Sequence, residues 1–324
     1  MKKLLAILIC VIILASALAG CGGAATPDQA IADIKVVTTI FPIYDWVRNV
    51  AQDDVDIKLD MLLDNGVDLH SYQPSATDIM DISDCDVFIY VGGESDKWVD
   101  DVIAQADNKD MVVLDLMDIL GERAKEEELK EGMQGEEEEE EGEEEPEYDE
   151  HVWLSLKNAS LYVGKIADAL AQKDEQHADD FKTNADAYIE KINALDKEYQ
   201  AAVDSAEFKT LLFGDRFPFR YMTDDYGLDY YAAFVGCSAE TEASFETFLF
   251  LAQKVDELKL PAIMQIESSD GSIANTIKEN TASKDQEILT LDSMQSVTKE
   301  KVDAGETYLG IMESNLNILK QALK

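Results

Sequence analysis

Ile34-Lys35-Val36-Val37-Thr38-Thr39-Ile40 is a β-branched run that ends at Phe41-Pro42, and apolar residues from Ile43 to Gln52 then fall at helical spacing. That strand-then-helix unit repeats along the chain. Ile57 to Leu62, Val87 to Val91 and Met111 to Leu116 are further short apolar runs, and Thr210 to Phe213, Ala262 to Ile266 and Ile288 to Leu291 continue the pattern. Continuous apolar strands that alternate with helices predict parallel sheets covered on both faces. About 300 residues beyond the N-terminal segment are too many for one ordinary core, so two α/β lobes are expected, at residues 34–125 and 208–324. Between them, Asp174 to Glu207 contains no Gly or Pro, and Phe181, Ala185, Tyr188, Ile192, Leu195 and Tyr199 recur every three or four residues. This predicts one long rigid amphipathic helix that joins the lobes, within a 151–207 segment that also completes the first lobe.

The start of the chain supplies an address. Met1-Lys2-Lys3 followed by the apolar run Leu4 to Ala19 reads as a secretory signal over residues 1–20, too short for a comfortable membrane span. Leu18-Ala19-Gly20-Cys21 resembles the bacterial lipobox, which implies lipidation of Cys21 and an extracytoplasmic protein anchored to the cell membrane. Residues 21–33 then read as a lipid-anchored tether. Of the four cysteines, only Cys85 and Cys237 remain in the exported body. They allow a single disulfide, although Cys85 at the head of an apolar run reads better as a small buried residue.

Charge narrows the partners. The formal net charge is -41, and residues 126–150 hold sixteen Asp or Glu against one lysine, Lys130. A chain this acidic with no basic patch is repelled by phosphate, which argues against nucleic acid and makes cations the natural partners. The 126–150 stretch is expected as a disordered acidic loop, and it ends in Glu150-His151-Val152-Trp153-Leu154.

Ligands of open parallel sheets bind beyond the carboxyl ends of the strands, so the loops after the apolar runs matter most. One holds His70, in Asp68-Leu69-His70-Ser71-Tyr72-Gln73-Pro74-Ser75. His151 follows the acidic stretch and precedes a helix near Ser155. The third histidine, His177, lies among polar residues at a helix start and reads as solvated.

Thr38-Thr39-Ile40-Phe41-Pro42-Ile43-Tyr44, the His70 loop, His151-Val152-Trp153-Leu154-Ser155, Phe219-Arg220-Tyr221 with Tyr226-Gly227-Leu228, and Leu291-Asp292-Ser293-Met294 occur in that order. Together they resemble the zinc and manganese substrate-binding lipoproteins of bacterial ABC importers, a family that includes adhesin-like metal receptors. The resemblance implies a metal site in the cleft between the lobes and delivery to an ABC transporter permease. It carries His70, His151 and Asp292 over as ligands, with Asp292 alternatively capping a helix after its strand. The family's remaining ligand position is Arg216 here, which keeps its proton and cannot bind a cation. Asp215 is the first substitute, with Glu240, Glu242, Glu267 or water as alternatives. Two imidazoles favour Zn²⁺, while loss of a third makes the site harder and leaves Mn²⁺ or Fe²⁺ open.

By the same resemblance the acidic stretch sits where zinc receptors carry an insertion rich in His, Asp and Glu, here without histidine, and it either gathers cations at the mouth or only keeps the chain soluble. No phosphate loop, HExxH or nucleophile elbow is present, so a non-enzymatic protein is expected. The rival expectation is a surface adhesin or structural lipoprotein whose histidines are incidental.

Overall fold

Two parallel sheets of four strands account for the strands among the described residues, which in this computed structural model are 34–52, 57–135, 147–238 and 242–324. The signal, Cys21 and its tether, the glutamate run within 136–146, and Glu240 lie outside them. The first sheet contains β1 (Ile34–Thr38), β2 (Ile57–Met61), β3 (Val87–Tyr90) and β4 (Val112–Asp115), in the order β2-β1-β3-β4. The second contains β5 (Thr210–Phe217), β6 (Asp229–Val235), β7 (Ala262–Ile266) and β8 (Glu287–Leu291), in the equivalent order β6-β5-β7-β8. Every strand pairing is parallel, with Val36 opposite both Leu59 and Val87, and Met264 opposite Leu289. In each sheet the winding reverses beside the first strand, so each opens a crevice at its carboxyl edge.

The apolar runs are strands because helices cover both of their faces. All four residues of β3 are buried. The helix Phe41–Ala51 starts on Pro42, whose fixed φ suits the first turn, and buries Trp46, Val47 and Val50. Trp46 is a central wedge, 5.8 Å from the ring of Tyr162 and 5.2 Å from that of Tyr308 by centroid. Those partners lie on helices Leu156–Lys173 and Tyr308–Ala322, so segments far apart in sequence close on one indole.

The long helix runs from Ala178 to Ser205, and Phe181, Ala185, Tyr188, Ile192, Leu195, Tyr199 and Val203 form its buried face. It does more than connect. One continuous apolar cluster contains Val36 and Val87 of the first sheet, Phe213 and Met264 of the second, and this helix face between them. Residues 34–324 accordingly form a single unit. Within this seam the buried Asp45 carboxylate accepts from the Tyr308 backbone N–H at 3.0 Å and the Tyr188 hydroxyl at 3.3 Å.

The structure departs from expectation in the acidic stretch. Glu126 and Tyr148 form an antiparallel bridge, and the Gln134 N–H donates to Ala233 at 2.9 Å beside edge strand β6. Lys130 pairs with Asp229 and lies 4.0 Å from the Tyr230 ring centre. Residues 126–135 and 147–150 are therefore folded onto the second sheet, where an edge strand offers unpaired backbone groups that outweigh local charge. His177 also differs, because its ring is partly buried against Asp174. Cys85 and Cys237 are both free, with the Cys85 sulfur 3.4 Å from that of Met111.

Trp46→Ala should destabilise the protein by about 3–5 kcal/mol, because the cavity sits where three helices meet. The urea midpoint measures it, and a loss under about 1 kcal/mol would contradict the wedge role.

Candidate metal centre

His70 is placed by a short turn and by the neighbouring loop. Asp68 caps the turn Leu69–Ser71 by accepting the His70 N–H at 3.0 Å, while buried Leu69 anchors it. The ring's Nδ1 then lies 2.8 Å from the Ser95 hydroxyl and 3.5 Å from a Glu150 carboxylate oxygen. Ser95 belongs to the loop after β3, which begins with Gly92 and Gly93 at φ +89° and +81°. A Cβ on Gly93 would stand 2.4 Å from Glu150 Oε1, so glycine is what lets this loop wrap the carboxylate. Glu150 in return accepts the Ser95 N–H at 2.9 Å, and Asp96 accepts those of Val91 and Gly92 at 3.1 and 3.0 Å.

His151 is held more tightly still. Its ring is fully buried, and Asp149 Oδ1 lies 2.9 Å from Nδ1 and 2.8 Å from the His151 backbone nitrogen. The Tyr221 hydroxyl donates to the Asp149 carbonyl at 2.9 Å, and the neighbouring Trp153 indole N–H donates to Ser293 at 2.9 Å. Both Nδ1 atoms are thus engaged by oxygen, which leaves both Nε2 atoms facing inward. They face each other at 3.2 Å. With the proton on each Nδ1, two lone pairs converge there, the arrangement by which carboxylates orient imidazoles toward a metal. A tetrahedral ion with bonds of about 2.0–2.1 Å would separate two nitrogens by roughly 3.3 Å.

The protonation balance is one-sided. Burial first, then the neighbouring His151 charge, pushes His70 down to about 3. For His151, burial pulls down, but the charge and hydrogen bond of Asp149 hold it above the ordinary imidazole range. A single shared proton therefore belongs to His151.

Cys237 is the third member of the cluster. The ligating atoms of His70, His151 and Cys237 all lie within 4.8 Å of one another. Gly236 makes this approach possible, since a Cβ there would stand 3.0 Å from His151 Cε1 and 2.9 Å from the Phe217 carbonyl. The Cys237 N–H donates to Glu127 at 3.0 Å. Burial, then the charges of Asp149, Glu127 and Glu150, raises the thiol well above its usual value.

Asp215, Glu242, Glu267 and Asp292 do not belong to that group among the described residues. Asp215 accepts the N–H groups of Arg216 at 2.9 Å and Ile266 at 3.3 Å, which ties β5 to β7. Glu267 accepts from the Ser293 N–H at 2.7 Å and the Ser293 and Ser296 hydroxyls at 3.0 and 3.1 Å. Asp292 caps its own turn through the Met294 N–H at 2.7 Å, and burial with the nearby Glu267 charge raises it to about 6. Glu242 is exposed. Arg216 spans the lobes, 2.7 Å from Asp68 and 3.3 Å from the Ser238 carbonyl. Sequence reasoning did not find Ser95, Asp149, Glu150 or Cys237 as members of the site. Gly92-Gly93 directly after an apolar run was the one signal for the Ser95 loop.

Two doubly wound sheets whose strand-end loops bring two inward imidazoles together define a two-lobed α/β fold. The chain belongs to the family described as zinc-uptake complex component A, periplasmic, which matches residues 36–322. The zinc-binding lipoprotein AdcA of Streptococcus pneumoniae is 32% identical over 297 residues, 90% of this chain and 56% of that protein. The chain thus spans just over half the length of that relative. The high-affinity zinc uptake system protein ZnuA of Bacillus subtilis is 29% identical, with 94% and 93% of the two chains covered. The Zn(II)-bound ZnuA-like domain of S. pneumoniae AdcA superposes with a TM-score of 0.71 at 30% identity, over 90% of this chain and 99% of that domain.

Asp96 gives the loop after β3 a pH signature. Burial raises it to about 7, with the Glu150 charge adding to the rise. Above the ordinary carboxylate value the unfolded chain has lost this proton while the folded chain still holds it, so folding stability falls as pH rises from 4 to 7. Asp96→Asn keeps an acceptor for the two N–H groups and should gain on the parent by up to about 1.4 kcal/mol per pH unit across that window. Urea unfolding of metal-free protein at pH 4.5 and 7 tests this, and identical slopes would refute the assignment.

Proposed function

We propose that this chain is the extracytoplasmic component of a metal ABC importer, which captures Zn²⁺ and delivers it to a membrane permease without catalysing a reaction. The observation that carries the reading is the 3.2 Å approach of two imidazole Nε2 atoms whose opposite nitrogens are both engaged by oxygen. Membership of the zinc-uptake family and the zinc-binding names of its relatives support it. Lipidation at Cys21 would keep the protein beside its permease. In this reading His70 and His151 receive the ion first, their Nε2 atoms already aimed at one another, while Asp149, Ser95 and Glu150 hold the rings. Asp292 and Asp215 remain as outer carboxylates, which would contribute charge or join after rearrangement.

Calorimetric titration of the metal-free protein should find one Zn²⁺ per chain. His70→Ala and His151→Ala should each weaken it at least about 100-fold, and Asp149→Asn, which frees the His151 ring, about 10- to 100-fold. Parent-like binding in both histidine variants would overturn the reading.

The acidic stretch is proposed as a weak cation collector. Its flanks hold Glu127 against Cys237, so the informative deletion removes residues 136–146 alone. Slower uptake at limiting zinc with unchanged affinity is expected, and unchanged uptake would reduce the stretch to solubility.

A further inference from the structure

Cys237 lies outside the ligand set that the family resemblance implies, yet it is the residue that completes the cluster. Its sulfur and the two imidazoles span no more than 4.8 Å. A tetrahedral ion with bonds of about 2.3 Å to sulfur and 2.05 Å to nitrogen would set those atoms roughly 3.6 Å apart, so the remaining closure is at most about 1.2 Å. Three local features point this sulfur at the site. Gly236 allows the loop after β6 to pass against the His151 ring, where any side chain would collide. Glu127 fixes the Cys237 backbone N–H at 3.0 Å. Arg216 holds the adjoining Ser238 carbonyl at 3.3 Å while gripping Asp68, two residues from His70, at 2.7 Å. Arg216 thus occupies the expected ligand position and also fastens the loop that carries Cys237 to the loop that carries His70.

We infer that Cys237 is the third, sulfur ligand of the metal, giving a site of two imidazoles and one thiolate that selects zinc and excludes manganese. The inference rests on the reading of this cluster as a metal-capture site and deepens it. On binding, the metal–sulfur bond forms as the S–H bond breaks, and the proton leaves through the adjacent Glu127 carboxylate to water. Thiolate donors favour borderline and soft ions such as Zn²⁺, whereas Mn²⁺ prefers carboxylate and water oxygen. The replacement of a family ligand by Arg216, which on sequence alone hardens the site, is therefore offset by sulfur. His70 belongs to a loop of the first sheet and the sulfur to a loop of the second, so the ion itself would bridge the lobes.

Cobalt(II) reports sulfur ligation directly, through intense sulfur-to-metal charge-transfer absorption in the near ultraviolet. The full exported chain loaded with one Co²⁺ should show this band, and Cys237→Ser should bind Co²⁺ without it. Zn²⁺ affinity should fall at least about 100-fold in Cys237→Ser, beyond what loss of an outer-shell group costs, while Mn²⁺ affinity changes little. Circular dichroism and urea midpoints matching the parent would show that the variant folds. A wild-type protein that binds one Co²⁺ with no such band, or a Cys237→Ser variant with parental Zn²⁺ affinity, would overturn the sulfur ligand and leave the capture site standing. No binding of either ion by the wild type would overturn both.

Discussion

Two imidazole Nε2 atoms held face to face at 3.2 Å are the constraint around which the rest of the site is arranged. Two unprotonated Nε2 atoms at that distance repel, and a proton or a metal cation placed between them turns the arrangement favourable. The fold maintains it by spending polar groups on the far side of each ring. Asp149 clamps one Nδ1, and Ser95 with Glu150 flanks the other. Those groups need holding in turn, which accounts for positive-φ glycines at 92 and 93 and for the Tyr221 hydroxyl on Asp149. Burial works in the same direction, because it pushes His70 well below the ordinary imidazole range.

The fold was legible from sequence because its signals are local and repeated. Short β-branched runs and a 28-residue helix with one apolar stripe carry their own periodicity, and the structure follows both. The two histidines were legible for a different reason. With three in the whole chain, two falling just where strands or loops end was informative in itself. Cys237 had no such prominence. It lies 86 residues beyond His151, and only the pairing of β6 with β5 and the close pass at Gly236 bring it to the ring. The flanks of the acidic stretch misled for a related reason. Charge density spoke for solvent, while the stabilising partner was the edge of β6, which a local composition cannot register.

Arg216 shows how one residue can be right as an anomaly and incomplete as an explanation. Its inability to bind a metal follows from its chemistry alone. What it does instead needs the fold: its guanidinium bridges Asp68 of the first lobe and Ser238 of the second. The pair is mostly shielded, with 15% and 23% of the two side chains exposed, so it is screened less than a surface ion pair. The positive charge also stands beside the imidazoles and adds to the pressure against protonating His70.

The shared core limits how such a site can open. Swinging the sheets apart as rigid bodies would expose an apolar cluster that runs without interruption from Val36 through the long helix to Phe213 and Met264. At about 25 cal/mol for each Å² uncovered, even a few hundred Å² would cost more than most domain interfaces can spare. The cost therefore falls on the helical seam that joins the sheets, which resists any rigid-body separation of the two.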